Sequence, residues 1–102
     1  MPWSPFVTVA AVVRRQDRFL MVEESPDGQA VINQPAGHLE FGESLFKAAC
    51  REVLEETART FEPSGLVGVY QWTIPGTERA YLRFCFVGDV SEPIAGFAID
   101  PD

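Results

Sequence analysis

The pattern of apolar and polar residues in the first third of the chain predicts short strands joined by turns. Residues 6–13 are apolar and rich in β-branched side chains, which favours a buried strand, and after a polar turn at 14–17 the segment 18–23 predicts a returning strand. The sequence SPDG at 25–28 is a strong turn signal, and a short strand over 29–32 follows it. The pattern therefore predicts an N-terminal hairpin and a third strand.

The middle of the chain has the period of an amphipathic helix. Residues 33–37 are expected to form a loop, because Pro35 disfavours helix at the residue before it. Ser44 suits the N-cap of a helix over 45–58. One side of this helix is expected to pack on a sheet, and it carries Phe46, Ala49, Cys50 and Val53.

The last third of the chain predicts a second hairpin. Residues 61–65 contain a proline and a glycine and are expected to be a connector, and an apolar strand over 66–74 follows. A turn at 75–77 leads into 79–90, where apolar and polar side chains alternate as in a half-buried strand. Strands that come mostly as hairpins, with one long helix between them, predict an α+β fold rather than a doubly wound sheet.

The composition restricts the class of protein. A chain of 102 residues suffices for one domain with a single core, and a net charge of −7 argues against a nucleic-acid duplex as partner. Cys50 and Cys85 are too few for a disulfide framework, so we expect buried free thiols in a reducing compartment. The N-terminal apolar run is too short to cross a membrane and lacks a leading basic region. We therefore expect a cytoplasmic protein with no membrane partner.

Three glutamates share one face of the predicted helix. Glu52, Glu55 and Glu56 are three and four residues apart, so their carboxylates lie close together and repel each other. A hard divalent cation such as Mg²⁺ or Mn²⁺, which prefers oxygen ligands, would relieve that repulsion. The alternative is a solvated acidic face without a ligand.

The spacing around these glutamates resembles a known signature. Gly37, five residues, Glu43, seven residues and then REVLEE from Arg51 resemble the Nudix box, G-x5-E-x7-R-E-U-x-E-E-x-G-U, in which U is a bulky aliphatic residue. The chain departs from the signature at two positions: it has Ala58 where the signature has glycine, and Arg59 where the signature has an aliphatic residue. Both positions follow the last glutamate of the box.

The resemblance to the Nudix family extends over nearly the whole chain. It continues in NQPAGHLE, VTVAAVV, RFLMVEE, YQW and YLRFCF, and these segments are similar to the bacterial NudJ-type subgroup. The resemblance implies an α/β/α sandwich with a mixed sheet, in a single Nudix domain over 1–102. Compared with the family, the chain lacks a further strand and a closing helix, so we expect a truncated domain that exposes one sheet face.

The resemblance also implies the chemistry of the site. In the family, the residues that correspond to Glu52, Glu55, Glu56 and the carbonyl of Ala36 bind the metal ion, which implies Mg²⁺ or Mn²⁺ here. It implies catalytic roles for Glu52, Glu56, Arg51 and Glu43, with Glu52 as the first choice for activating water. Arg51 and Glu43 would hold the carboxylates in place, although a surface ion pair is the simpler interpretation of Arg51.

Four further residues are candidates for contacting the substrate. Gly37 and His38 stand where a phosphate could approach, Trp72 could stack on a base or pyrimidine, as could Tyr70, and Arg83 could meet a phosphate. Core packing or solvation explains the same residues without a ligand.

Together these observations favour metal-dependent hydrolysis of a phosphoanhydride bond. The substrate would be a nucleoside di- or triphosphate or a related pyrophosphate, such as the pyrimidine pyrophosphate of thiamin synthesis. The alternative is a Nudix-like nucleotide-binding or regulatory domain without catalysis. Neither the oligomeric state nor the identity of the substrate follows from the sequence.

Overall fold

The structure is a computed structural model that describes residues 2–25 and 28–99. These residues form seven strands and one helix, which confirms the α+β prediction. The elements are β1 (Phe6–Arg15), β2 (Arg18–Phe19), β3 (Val22–Glu24), β4 (Val31–Asn33), β5 (Ala36–His38), α1 (Leu45–Thr57), β6 (Phe61–Thr73) and β7 (Ala80–Val90). No helix in this part of the chain is long and apolar enough to cross a membrane.

The main sheet is mixed. Its strands follow the order β2-β1-β7-β6, and β5 also pairs with β1. β1 and β7 are parallel, whereas the other pairs are antiparallel, including the β6–β7 hairpin around the predicted turn at 75–77. β3 and β4 form a separate two-stranded sheet. The parallel β1–β7 pair places the N-terminal and C-terminal strands side by side at the centre of the sheet.

The helix packs on the main sheet through two neighbouring rows of side chains. One row contains Ala49, Val53 and Thr57, and Ala48 begins the other row, which continues through Glu52 and Glu56. The core that they share with the sheet consists of Val9, Ala11, Val13, Ala48, Ala49, Val53, Phe61 and Val90. Because alanines bring the helix close to the sheet, the two glutamates that follow Ala48 are drawn into a partly buried position.

Phe46 contacts the sheet as predicted, but only at its edge. Its side chain is 51% exposed, and its ring meets Phe86 edge-on with the ring centroids 6.4 Å apart. Because Phe46 belongs to the first turn of α1, it reaches the rim of the helix–sheet contact and not its centre. Ala48, which has no exposed surface, takes the buried position instead.

Three predicted segments differ from the structure. Residues 33–37, expected as a loop, contain the start of β5, because β1 provides a partner for the backbone there. Residues 61–65, expected as a connector, belong to β6, whose pairing with β7 has register shifts at Pro63/Gly65 and Leu66/Gly68 that accommodate the strand breakers. The predicted strand 18–23 is split between β2 and β3. Two of the predicted turn residues, 26 and 27, lie outside the described residues.

Both ends of α1 have identifiable caps. The Ser44 side chain accepts a hydrogen bond from the Lys47 amide at 3.1 Å, which confirms the predicted N-cap. At the other end Ala58 adopts φ 59° and ψ 27°, and its amide donates to the Leu54 carbonyl at 2.9 Å. Ala58 therefore ends the helix in the left-handed conformation that glycine adopts more easily.

Replacing Ala58 by glycine should stabilise the protein by about 0.5 kcal/mol. Relief of the left-handed strain is worth about 1 kcal/mol, and loss of the buried methyl group offsets part of it. The measurement is the free energy of unfolding in urea. Ala49→Gly is the control, because in the helix interior the same change should destabilise the protein by at least about 1 kcal/mol. A destabilised Ala58→Gly variant would contradict the assignment of the left-handed cap.

Candidate active site

The outer edge of β5 faces helix α1. The ladder with β1 runs through Ala11 N to Pro35 O (2.9 Å) and Leu39 N to Val7 O (3.0 Å), with Val9 opposite Gly37. Because antiparallel residues alternate between the two edges of a strand, Ala36 and His38 turn their N–H and C=O groups away from β1. The Ala36 amide accordingly donates to Glu56 Oε1 at 3.0 Å, and the His38 carbonyl accepts from Arg51 Nη2 at 3.0 Å. β5 thus presents backbone donors and acceptors to the acidic helix.

Gly37 lies between Ala36 and His38, and it lacks a side chain for a steric reason. A Cβ atom at Gly37 would overlap the carboxylate of Glu52. Since side chains alternate along a strand, Gly37 faces α1, whereas Ala36 and His38 face the opposite side of the sheet. The glycine therefore lets Glu52 lie directly against the β5 backbone.

Arg51 connects the acidic side chains to one another. Its guanidinium binds both oxygens of Glu43, with Nε to Oε2 at 2.6 Å and Nη2 to Oε1 at 3.0 Å. Its Nη1 donates to Glu52 Oε1 at 2.7 Å and to Glu55 Oε2 at 3.3 Å. The Arg51 side chain is 21% exposed. These contacts are therefore better shielded from water than those of a surface ion pair. This arrangement agrees with the predicted role of Arg51 and Glu43 in holding the carboxylates.

The electrostatic environment differs among the carboxylates. The hydrogen bond from Arg51 lowers the pKa of Glu43, and the Glu40 amide contributes in the same direction. Burial raises the pKa of Glu52 against the opposing effect of Arg51. Burial also raises the pKa of Glu56 to about 7, and the charges of Glu52 and Glu24 add to it although the Ala36 amide opposes it. Burial and the neighbouring carboxylates therefore disfavour the ionised form of Glu56.

A large cleft contains the predicted metal ligands. It has a volume of about 840 Å³, and the side chains of Glu52, Glu55 and Glu56 line it together with Ala36. Glu23 and Glu24 of β3 add two further carboxylates. Its other walls are largely apolar, with Leu20, Met21, Val22, Pro93, Ile94, Phe97 and Ile99. The cleft therefore combines an acidic wall with an apolar one.

The predicted ligands offer the oxygen donors that a hard metal ion prefers, although their side chains do not converge on one point. Within the described ranges, no three His, Cys, Asp or Glu side chains are arranged so that they could hold a metal ion. Instead Glu52 and Glu55 bind Arg51, and Glu56 binds the Ala36 amide. The donors are nevertheless all oxygens, and the strand edge that binds Glu56 also presents the Ala36 carbonyl. This donor set suits a hard divalent cation, and the metal role stays a prediction.

The four predicted substrate residues line one smaller cavity of about 250 Å³, namely Gly37, His38, Trp72 and Arg83. The alternation of His38, Trp72 and Arg83 along β5, β6 and β7 places this cavity on the face of the sheet opposite α1, and Gly37 lines it with its backbone. Ala36 and Glu24 line both cavities, so the two meet at β5 and β3. Tyr70 does not line the smaller cavity, because its ring lies across Gly68 on its own strand.

An aromatic stack forms one wall of this smaller cavity. The rings of Trp72 and Tyr81 are stacked with centroids 5.3 Å apart, and Tyr81 stacks on Phe6 at 5.5 Å. The Arg83 guanidinium lies over the Trp72 ring at 5.6 Å, and its Nε donates to Thr8 Oγ1 at 3.4 Å. Arg83 and Trp72 therefore present adjoining flat groups to this cavity.

Sequence reasoning did not include Tyr81 and Glu24 among the candidates. Tyr81 shares a face of β7 with Arg83, and the alternation of that strand was a signal for it. Glu24 carries no such signal, because the fold alone brings it and Glu56 to the same cleft. Its position depends on tertiary structure and not on a local motif.

Comparisons with known proteins agree with the fold and with the spacing of the site. A model of the NUDIX domain matches residues 4–97. Phosphatase NudJ of Escherichia coli (strain K12) is 43% identical over 90 residues, which is 88% of this chain and 58% of that protein. Phosphatase NudJ of Shigella flexneri matches to the same extent. The chain therefore spans less than two thirds of the length of these curated relatives.

Solved structures show the same architecture. A NUDIX hydrolase from Nitrosomonas europaea has a TM-score of 0.87 and 49% identity, over 95% of this chain and 66% of that one. A MutT NUDIX hydrolase from Burkholderia pseudomallei has a TM-score of 0.77 over 89% of this chain and 72% of that one, at 20% identity. The second similarity shows the fold alone.

Removal of the Arg51 guanidinium should destabilise the protein. We expect Arg51→Met to lower the free energy of unfolding by about 2 kcal/mol in EDTA, because Glu43, Glu52 and Glu55 lose a charge-assisted hydrogen bond and repel each other. Urea unfolding at pH 7.5 measures the change. Arg18→Met is the control, because Arg18 is exposed and its loss should cost less than about 0.5 kcal/mol. Equal effects of the two substitutions would show that Arg51 is a surface residue.

The raised pKa of Glu56 makes the stability of the metal-free protein depend on pH. Its pKa is about 7 in the folded state against an ordinary value of 4.5 for glutamate, so the folded state binds the proton more strongly than the unfolded state. The resulting stabilisation is present below pH 4.5 and is lost as the pH rises through about 7. Because Glu56 is partly exposed, solvent screening reduces the effect, and we expect a loss of about 1 kcal/mol. Glu56→Gln should remove this part of the pH dependence, as measured by urea unfolding in EDTA. Parallel pH profiles of the two proteins would contradict it.

Proposed function

The chain belongs to the Nudix family, and from that premise we propose that it hydrolyses a phosphoanhydride bond with the help of a divalent metal ion. The substrate would be a nucleoside di- or triphosphate or a related pyrophosphate. The observation that carries this proposal is the row of carboxylates on α1, which lies against the outward edge of β5 and is tied together by Arg51. Phosphatase NudJ of Escherichia coli (strain K12), which is 43% identical, supports the same class of reaction by its name.

Glu52, Glu55, Glu56 and the carbonyl of Ala36 would hold Mg²⁺ or Mn²⁺. When bound, the ion supplies the positive charge that neutralises the substrate phosphates and makes the attacking water easier to ionise. Glu56 suits a ligand because burial and the charges of Glu52 and Glu24 disfavour its ionised form, which a bound cation would favour. Ala36 brings its carbonyl to the same place, because residue 36 faces away from the β1 ladder.

Glu52 is the carboxylate that would accept a proton from water. Burial raises its pKa, which makes it a better base than an exposed glutamate, and Arg51 Nη1 fixes one of its oxygens at 2.7 Å. The bidentate contact with Glu43 keeps the guanidinium in position. Arg51 and Glu43 therefore act by positioning Glu52 and not by touching the substrate.

A nucleotide-binding domain without catalysis is the second candidate. Its support is that no three acidic side chains converge on a metal site in the part of the chain that the structure describes. The acidic row speaks against it, because a protein that merely binds a nucleotide has no need of partly buried carboxylates that repel its phosphates.

Glu56→Gln should reduce turnover by at least about a hundredfold while the fold remains intact, because the amide keeps a hydrogen-bond acceptor but cannot neutralise a cation. The assay measures phosphate release by malachite green from GTP, GDP and a pyrimidine pyrophosphate, with and without Mg²⁺, and adds a pyrophosphatase so that pyrophosphate is also detected. Glu62→Gln, on the exposed part of β6, is the matched control. Release that does not require the metal, or near-normal turnover in Glu56→Gln, would contradict the proposal. Nucleotide binding without any release would favour the second candidate.

A further inference from the structure

The smaller cavity contains polar side chains whose hydrogen-bonding capacity is not used. Glu24 makes no hydrogen bond or ion pair within the described residues, and the side-chain amides of Asn33 and Gln34 make none either. All three line the cavity of about 250 Å³. The hydrogen-bond donors and acceptors of these side chains are therefore available to a ligand in the cavity.

Arg83 offers this cavity a planar surface. Trp72 supports the guanidinium from one side, and Thr8 holds its Nε. A guanidinium that is supported on one face and fixed at one nitrogen has little freedom to rotate, and its other face can stack on a flat ring. The cavity thus suits a planar heteroaromatic ring better than a flexible chain.

Glu24 decides which edge of such a ring fits. An ionised carboxylate accepts hydrogen bonds and donates none, so it favours an exocyclic amino group and repels a carbonyl oxygen. The amides of Asn33 and Gln34 can turn either end toward the ring, and they therefore accept both kinds of edge. Glu24 also lines the acidic cleft, so a ring beside it would have its phosphates next to Glu56.

We infer that this cavity binds the heteroaromatic ring of the substrate and that Glu24 selects rings with an exocyclic amino group over rings with a carbonyl at that position. Arg83, supported by Trp72, provides the surface on which the ring stacks. The inference rests on the proposed function, because the ring belongs to the substrate whose phosphates would lie at the acidic row. It adds a preference for cytosine-like over uracil-like rings.

Nucleosides test the cavity without any phosphate chemistry. NMR titrations with cytidine and uridine give two dissociation constants, and we expect cytidine to bind about tenfold more tightly. Glu24→Gln should bring the ratio close to one, because glutamine can donate as well as accept. Glu62→Gln, an exposed glutamate on β6, should keep the tenfold ratio.

The stacking surface has its own matched pair of variants. Arg83→Lys keeps the charge but loses the planar face, so both nucleosides should bind about tenfold more weakly with an unchanged ratio. Arg79 lies over the Phe6 ring at 5.8 Å in the same kind of contact but does not line the cavity, so Arg79→Lys should leave both affinities unchanged.

Hydrolysis of CTP, UTP and inorganic triphosphate separates this inference from the proposed function. Equal binding of cytidine and uridine, no binding of either, or a preference that persists in Glu24→Gln would overturn the inference, even if all three compounds are hydrolysed. Selective binding of cytidine without hydrolysis of any of them would support the cavity and refute the proposed function. The expected result is selective binding together with a kcat/KM for CTP about tenfold above that for UTP.

Discussion

The contact between Arg51 and its neighbouring carboxylates is the interaction on which the site depends. Glu43, Glu52 and Glu55 all bind one guanidinium, and the same group reaches the His38 carbonyl at the edge of β5. Without that cation the carboxylates would repel one another and would be driven out toward water. With it, the helix can keep an acidic row against a strand. Glu56 makes no contact with this guanidinium within the described residues, and burial disfavours its ionised form.

β5 joins two regions that differ in chemistry. Gly37 turns toward α1 and makes room for Glu52, whereas Ala36 and His38 face the cavity on the other side of the sheet. The alternation of a three-residue strand is therefore enough to place an acidic cleft and a smaller cavity with aromatic walls on opposite sides of one backbone. A substrate with phosphates at one end and a flat ring at the other would match this division. The exposed apolar side chains of β6, including Leu66 and Val69, take no part in it.

The features that could be predicted from the sequence are those that depend on local spacing. Ser44 determines the N-cap, and the spacing of the glutamates determines the acidic face, however the helix packs. The alternation along β7 places Arg83 and Phe84 on opposite faces of the strand. β5 was missed because Pro35 signals a loop, while the pairing with β1 that overrides this signal is long-range. Residues 61–65 were missed for the same reason, since β7 imposes a strand on Pro63 and Gly65. The stack of Trp72 on Tyr81 and the approach of Glu24 to Glu56 follow from register and tertiary packing, which no local pattern shows.

We propose that the carboxylates of α1 and the edge of β5 form one divalent-metal site. An anomalous difference map from crystals of the protein soaked in Mn²⁺ tests this site directly. We expect a peak within about 2.0–2.5 Å of oxygens from Glu56, from Glu52 or Glu55, and from the Ala36 carbonyl. A saturating soak that leaves this position without a peak, or that places Mn²⁺ on other side chains, would contradict it.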